Sequence, residues 1–303
     1  LSQKKNLYLS LNKEFIIFKK AHLQLLIIMK KKLLLFVVVL FTINISAQTY
    51  RFIYELEFRN DSTSNSSKKE KMVLDITNQK IKFYDYNFIK YDSINKNTGS
   101  NIQTSSLTKQ VLTRNYNSNT NEQYSTFNFD YFVMKSDDAI DWEILPDTKK
   151  ISDFTVQKAI CSFGGRNWTA WFTTSIPFNE GPYKFRGLPG LIISLKDTKD
   201  NYIYNLIKSQ IIKENYDTTS FLETRYGKNP IPINLSQYQK LMLDNYGDPV
   251  AGHKLTIKNG GTVVINNQKI QTSEELDVMR KSIKERMKKN YNPIELNHAV
   301  VYK

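Results

Sequence analysis

Between residues 50 and 58 the chain alternates: Tyr50, Phe52, Tyr54, Leu56 and Phe58 fall on every second position, with Arg51, Glu55 and Glu57 between them. A period of two puts all five apolar side chains on one face of a β-strand, whereas a helix would scatter them around its axis. Aromatic residues make up 13% of the sequence, with 18 Tyr and 17 Phe, and many stand in such runs. The chain is therefore bound to build a sheet with one heavily apolar face.

The same period predicts strands at Met72–Ile76 and Ile81–Tyr86, joined as a hairpin across Thr77-Asn78-Gln79-Lys80. Further strands are predicted over Leu107–Tyr116, Tyr124–Lys135, Thr155–Phe163, Arg166–Thr174, Leu191–Lys196 and Tyr202–Ile212. In Tyr124–Lys135 the alternation runs through Phe127, Phe129, Tyr131 and Val133, and Asp137–Trp142 leads into an edge element ending at Pro146. Stretches rich in Ser, Asn and Lys at Asn60–Lys71, Asn95–Ser105 and Asn115–Gln123 read as solvated loops. Most connections are too short for crossovers, so pairing should be antiparallel.

Two helices are predicted, both near the C-terminus. One covers Leu235–Asn245. In the other, Ser273–Asn290, Thr272 and Glu275 supply a capping box, and Leu276, Met279, Ile283 and Met287 form a stripe at helical spacing. Asn259-Gly260-Gly261, between Leu255–Lys258 and Val263–Asn266, signals a hairpin. The fold class that follows is α+β, mainly β: a curved antiparallel sheet, half-barrel or sandwich-like, with one or two packed helices near the C-terminus.

The N-terminal region reads differently. The first Met is Met29, followed by Lys30-Lys31-Lys32, an apolar run from Leu33 to Phe41, and Thr42-Ile43-Asn44-Ile45-Ser46-Ala47-Gln48. That is the layout of a signal peptide cleaved between Ala47 and Gln48. The run is well short of the ~20 residues a spanning helix needs. Residues 1–28 are read as an upstream extension, residues 29–47 as the signal peptide, and residues 48–303 as one β-rich domain in the periplasm or outside the cell. No Cys marks the cut, so lipid anchoring is not expected.

The net charge of +14 overstates the basic character. Residues 1–47 hold eight of the 43 Lys and Arg and one of the 29 acids, which leaves +7 for residues 48–303. These bases are mostly scattered lysines, which argues against nucleic-acid binding and leaves room for peripheral association with an anionic membrane. Cys161 is the only cysteine and is read as a buried small hydrophobe.

The most unusual segment runs from Arg166 to Ile192. Trp168, Ala170 and Phe172 point to one side of a strand and Thr169, Trp171 and Thr173 to the other, so one Trp should enter the core while the other lines a surface. Gly181-Pro182 makes a bend, after which Tyr183 and Phe185 share a face. In Gly187-Leu188-Pro189-Gly190-Leu191-Ile192, the stretch Leu188-Pro189-Gly190-Leu191 suits a type II turn, and Gly187 would admit a close neighbour. Together with Ala170-Trp171-Phe172, Ile176-Pro177 and Gly181-Pro182-Tyr183, this hexapeptide resembles the GLPGLI family of exported bacterial envelope proteins. A second match is Tyr291-Asn292-Pro293-Ile294-Glu295-Leu296, where the family often shows Asn in place of Tyr291. The resemblance implies a β-rich exported protein. The family brings no assigned activity and no catalytic residues.

Trp168, Trp171, Phe172, Tyr183, Phe185 and Arg186 are the candidate ligand-binding residues, with Arg166 and Lys184 as further cations. Gly181, Pro182, Gly187, Leu188, Pro189 and Gly190 are the structural corner that shapes them. The sequence has no phosphate-binding loop, no G-x-S-x-G, no H-E-x-x-H and no C-x-x-C. His253 and His298 lie far apart in sequence, and Asp137, Asp138 and Asp141 lack a calcium-loop layout; no metal and no cofactor are expected. The reading that follows is a non-catalytic envelope protein that binds a peptide, a lipid or an envelope protein through an aromatic concave face. The alternatives are a hydrolase built around Glu180 and a structural component of an outer-membrane-associated complex.

Overall fold

The computed structural model describes residues 19–20, 22–26, 28–32, 48–127, 130–265 and 267–303. The apolar run Leu33–Phe41, the bond after Ala47, Phe129 and Asn266 lie outside the described residues. The chain divides into two units, Leu1–Ala47 and Gln48–Lys303. Among the described residues no helix is long and apolar enough to cross a membrane.

The second unit is built on a twelve-stranded, curved, non-closed sheet ordered β12-β6-β5-β4-β3-β2-β1-β11-β10-β9-β8-β7. In chain order the strands are β1 (Thr49–Phe58), β2 (Lys68–Ile76), β3 (Lys80–Asp85), β4 (Val111–Asn115), β5 (Thr120–Phe127) and β6 (Asp130–Asp137). They continue as β7 (Glu143–Ile151), β8 (Phe154–Phe163), β9 (Arg166–Thr173), β10 (Leu191–Asp197), β11 (Tyr202–Ile212) and β12 (Ile231–Ile233). Neighbours are antiparallel except β12, which lies parallel to β6. The free edge β7 carries Pro146, Lys149 and Lys150, residues that discourage strand addition.

The predicted alternation is visible in the burial. Phe52, Tyr54, Leu56, Leu74, Phe83 and Leu112 join the main core on the inner face. Their sequence neighbours Val73, Tyr84 and Val111 belong to a second core on the outer face, under α1 (Tyr86–Thr98) and residues 216–226. Charges on that outer face are paired. Arg51 donates from Nε and Nη2 to the two Asp75 oxygens, both at 2.7 Å, and Tyr84 donates its hydroxyl to Oδ2 of the same carboxylate.

The other helices are α2 (Leu235–Gly247), α3 (Ala251–Lys258) and α4 (Ser273–Lys289). Both C-terminal helices predicted from the sequence form, each with a capping box: Asn234 with Gln237 for α2, and Thr272 with Glu275 for α4.

Several local expectations are corrected. Tyr124–Lys135 is not one strand but the hairpin β5–β6, and the loop predicted over Asn115–Gln123 shrinks to a turn in which Asn117 takes φ +63°. The loop predicted from Asn95 starts later, because α1 runs to Thr98 and ends on Gly99 at φ +68°, whose N–H bonds to Asn95 O. Leu255–Lys258 is helical. Gly260, at φ +76° with its N–H on Ile257 O, closes α3, so the Gly pair that reads as a hairpin turn is a helix terminus. The short hairpin lies just beyond it, between β13 (Val263–Ile265) and β14 (Gln268–Ile270).

Candidate functional site

The turn Gly164–Gly165, at φ +63° and +75°, delivers Arg166 to the start of β9. Arg166 is buried and ties together the two segments that the sequence singles out. Its guanidinium bonds Asp197 Oδ2 at 3.0 Å, Asn292 Oδ1 at 2.6 Å, and the carbonyls of Pro293 at 2.7 Å and Ile294 at 3.0 Å. The side chain of Asn292 reaches on to Arg59 O and Asn201 Oδ1, and Leu296 N–H donates to Gly164 O at 2.6 Å. The C-terminal stretch 292–296 is thus clamped on the β8–β9 hairpin.

Of the two tryptophans in this segment, Trp168 is the core residue. It is 1% exposed, its Nε1 donates to Phe163 O at 3.0 Å, and its ring centroid lies 4.6 Å from that of Phe185. Trp171 is half-buried on the other face, with Lys149 Nζ 3.9 Å from its ring centroid. Phe172, Tyr183 and Phe185 are buried in the main core.

The connection between β9 and β10 fills the inside of the curve. Phe178 meets Tyr50 and Phe52 on β1, Leu188 enters the core, and Tyr54 donates its hydroxyl to Ile192 O at 2.7 Å. Glu180 pairs with Arg114 on β4, and Arg186 donates to Ser118 O at 2.5 Å and Asn119 Oδ1 at 2.6 Å. Trp142, just before β7, donates its Nε1 to Arg186 O at 2.8 Å. One segment therefore reaches from one side of the sheet to the other.

The type II turn predicted over Leu188–Leu191 is not formed. Gly190 N–H bonds back to Leu188 O at 2.8 Å around Pro189, while Leu191 N–H is taken by Ile176 O. Gly190 sits at φ +156°, and a Cβ there would lie 2.0 Å from Thr173 O. Close approach belongs to Gly190 and not to Gly187, whose φ of +99° is the reason for glycine there.

Glu180, the alternative catalytic carboxylate, is 3% exposed. Burial raises its pKa, against the opposing pull of Arg114 and Arg186. It borders neither of the two cavities described below. Cys161 is buried, and burial pushes its thiol up to about 12, far from a reactive thiolate.

A cavity of about 280 Å³ opens beside this packed segment, between β5–β6, α2, the end of α4 and the C-terminal tail. Its apolar wall includes Leu107, Met134, Leu235, Met242, Met287 and Tyr302. Its polar side is organised by Glu295. Tyr183 donates its hydroxyl to Glu295 Oε1 at 2.5 Å, Lys184 Nζ lies 2.8 Å from the same oxygen, and His298 Nδ1 lies 3.1 Å from Oε2. Lys184 is fully buried and also faces Asp138 at 3.3 Å. Of the candidate binding residues, Tyr183 lines this cavity; Trp168, Phe172 and Phe185 are buried in the main core and do not line it, and neither do Trp171 and Arg186. A second cavity, also about 280 Å³, lies against Phe88, Tyr124, Tyr131 and Arg225.

Of the residues that line the first cavity, Met134, Tyr238, Met242 and Tyr302 are absent from those that the sequence singles out, Met287 is marked there only as part of a helical stripe, and Tyr291 opens the second stretch of family resemblance. They come from separate elements. The signals available in the sequence were Tyr183 and Tyr291–Leu296, the second stretch of family resemblance.

Residues 165–194 match the model of a family described as a protein of unknown function (Porph_ging). No curated protein matches the chain. Among solved structures the chain is similar to PNGF-II in two crystal forms. One gives a TM-score of 0.47 at 17% identity over 65% of this chain, the other 0.45 at 16% over 64%. In each case the chain spans 33% of the PNGF-II chain.

Proposed function

We propose that this chain is an exported, non-catalytic binding protein of the bacterial cell envelope, related to the GLPGLI family, that takes a small ligand in the cavity under its C-terminal tail. The observation that carries this reading is the cavity itself: an apolar wall of mixed Met, Leu and Tyr side chains facing a few convergent polar groups, as small-molecule sites usually present. The inner face of the sheet, by contrast, is filled by the β9–β10 connection, which moves the binding role from the Trp168–Arg186 corner to its neighbour. Basic residues, apolar run and small-residue cut between Met29 and Gln48 support export. The hydrolase alternative would need an accessible carboxylate, and Glu180 is sealed in an ion pair.

Native mass spectrometry of the protein from its own periplasm tests this. A reproducible mass beyond that of Gln48–Lys303, lost when Met242→Trp fills the cavity, is the expected result. An unadorned mass, together with no ligand recovered on denaturation, would overturn the binding reading. A chain starting near Leu1 would overturn the export reading.

A further inference from the structure

Resting on the cavity as a ligand site, we infer that its occupant is an anionic amphiphile, a short aliphatic chain carrying a carboxylate head, with the head held at Lys109.

The wall states the shape of the tail. Met134, Met242 and Met287 present three flexible thioethers that can follow an unbranched chain, with Leu107 and Leu235 beside them. The tyrosines around them offer rings more than hydroxyls. Tyr183 OH is spent on Glu295 and Gln123, Tyr202 OH donates to Asn292 O, and Tyr291 OH accepts from Val300 N–H. Sugars and peptides need a ladder of open donors and acceptors, and here most are already closed. At about 280 Å³ the space is just below the roughly 300–1,000 Å³ typical of ligand pockets, which suits a small occupant.

The charges state the head. Glu295 is the one carboxylate in the wall, and both its oxygens are engaged by Tyr183, Lys184 and His298. Lys109, also in the wall, has no carboxylate within ion-pair distance among the described residues. Its Nζ rests 5.7 Å from the Phe127 ring centroid and 5.8 Å from that of Tyr238, 3.4 Å from Tyr238 OH. Although Lys109 also borders the second cavity, the contact with Tyr238 brings its ammonium to this one. Its backbone is held at φ +56°, with its carbonyl accepting from Gln123 Nε2 at 3.1 Å, and Gln123 in turn holds Tyr183 OH. A half-buried cation kept in place by backbone bonding and rings, but left without a counter-charge, lacks the partner that an anionic head would supply.

The test is calorimetric titration of the delipidated full chain with octanoate, octanol and octylamine. Octanoate should bind about tenfold more tightly than octanol, the gain of one charge-assisted contact. Lys109→Met should erase that preference, bringing octanoate and octanol to the same affinity, and Lys109→Arg should keep it. Equal binding of octanoate and octanol by the native protein, or a preference for octylamine, would overturn the anionic head and leave the cavity standing as a site. Binding of none of the three, with no mass lost in Met242→Trp, would take the cavity reading down as well.

Discussion

Asp85 closes β3 and stands at the N-cap position of α1 without a side-chain capping bond; it is 2% exposed, and its Oδ2 has no hydrogen-bond partner. Burial raises its pKa to about 6, with Glu70 adding to the shift and a Ser106 hydrogen bond opposing it. The folded value lies above the unfolded one, so protonation favours the fold. The penalty is absent below about pH 4, grows as pH rises to 6, and is constant above. At about 1.4 kcal/mol per unit, it amounts to at most about 3 kcal/mol. Asp85→Asn should therefore be more stable than the native protein at pH 7.5 and equal to it at pH 4, as read by urea melts. Gly190→Ala is expected to go the other way. Its Cβ would meet the Thr173 carbonyl, a backbone atom that cannot step aside, and a loss of more than about 3 kcal/mol or no soluble protein should follow. Gly187→Ala meets only Trp142 Cδ1, at 3.9 Å, and should cost about 1–3 kcal/mol through its φ alone. The sequence marks this corner as a turn, but it cannot assign the turn type. The bond that would define it is diverted to Ile176, a residue outside the turn.

For strands, the period of two is readable wherever one face is apolar, as in β9, whereas β2 and β3 are buried on both faces over Met72–Ile76 and Ile81–Asp85. The period misleads where both flanks of a turn alternate in phase, as in β5–β6. Helix α1 escapes notice because Phe88 is its one buried residue and its sequence has no stripe. Helix α4 is legible because its capping box and apolar stripe are written locally, whereas the Asn234–Gln237 box of α2 emerges only in the structure. Thr272→Ala should cost about 1 kcal/mol by removing the hydroxyl that accepts from Glu275 N–H at 3.1 Å, measurable as a lower thermal midpoint. On β9 the two tryptophans should separate clearly. Trp168→Ala empties a core site and should cost about 3–5 kcal/mol, while Trp171→Ala, on the half-buried face beside Lys149, should cost about 1 kcal/mol. Chemical denaturation of both variants checks the contrast.

Across the whole molecule, the β9–β10 connection links strands that stand far apart in the sheet order, and Arg114–Glu180 is its most buried ionic tie. Removing Arg114 leaves the buried Glu180 carboxylate with only the longer, 3.6 Å contact to Arg186. Arg114→Met should cost about 3–5 kcal/mol, whereas Arg114→Met with Glu180→Met should recover much of the loss; equilibrium unfolding of the three proteins measures the coupling. Neither the meeting of Arg166 with Asn292–Ile294 nor the cavity is legible in the sequence, because both are assembled from elements whose adjacency only the fold creates.

The pairing of β1 with β11, Thr49 opposite Ile212, places the first strand of the domain beside one of the last strands of its sheet. A ribosome must release most of the chain before that seam can close. Such high contact order makes for slow folding and a long-lived unfolded chain. Under the export proposed above, that delay would keep the chain threadable until its final compartment is reached.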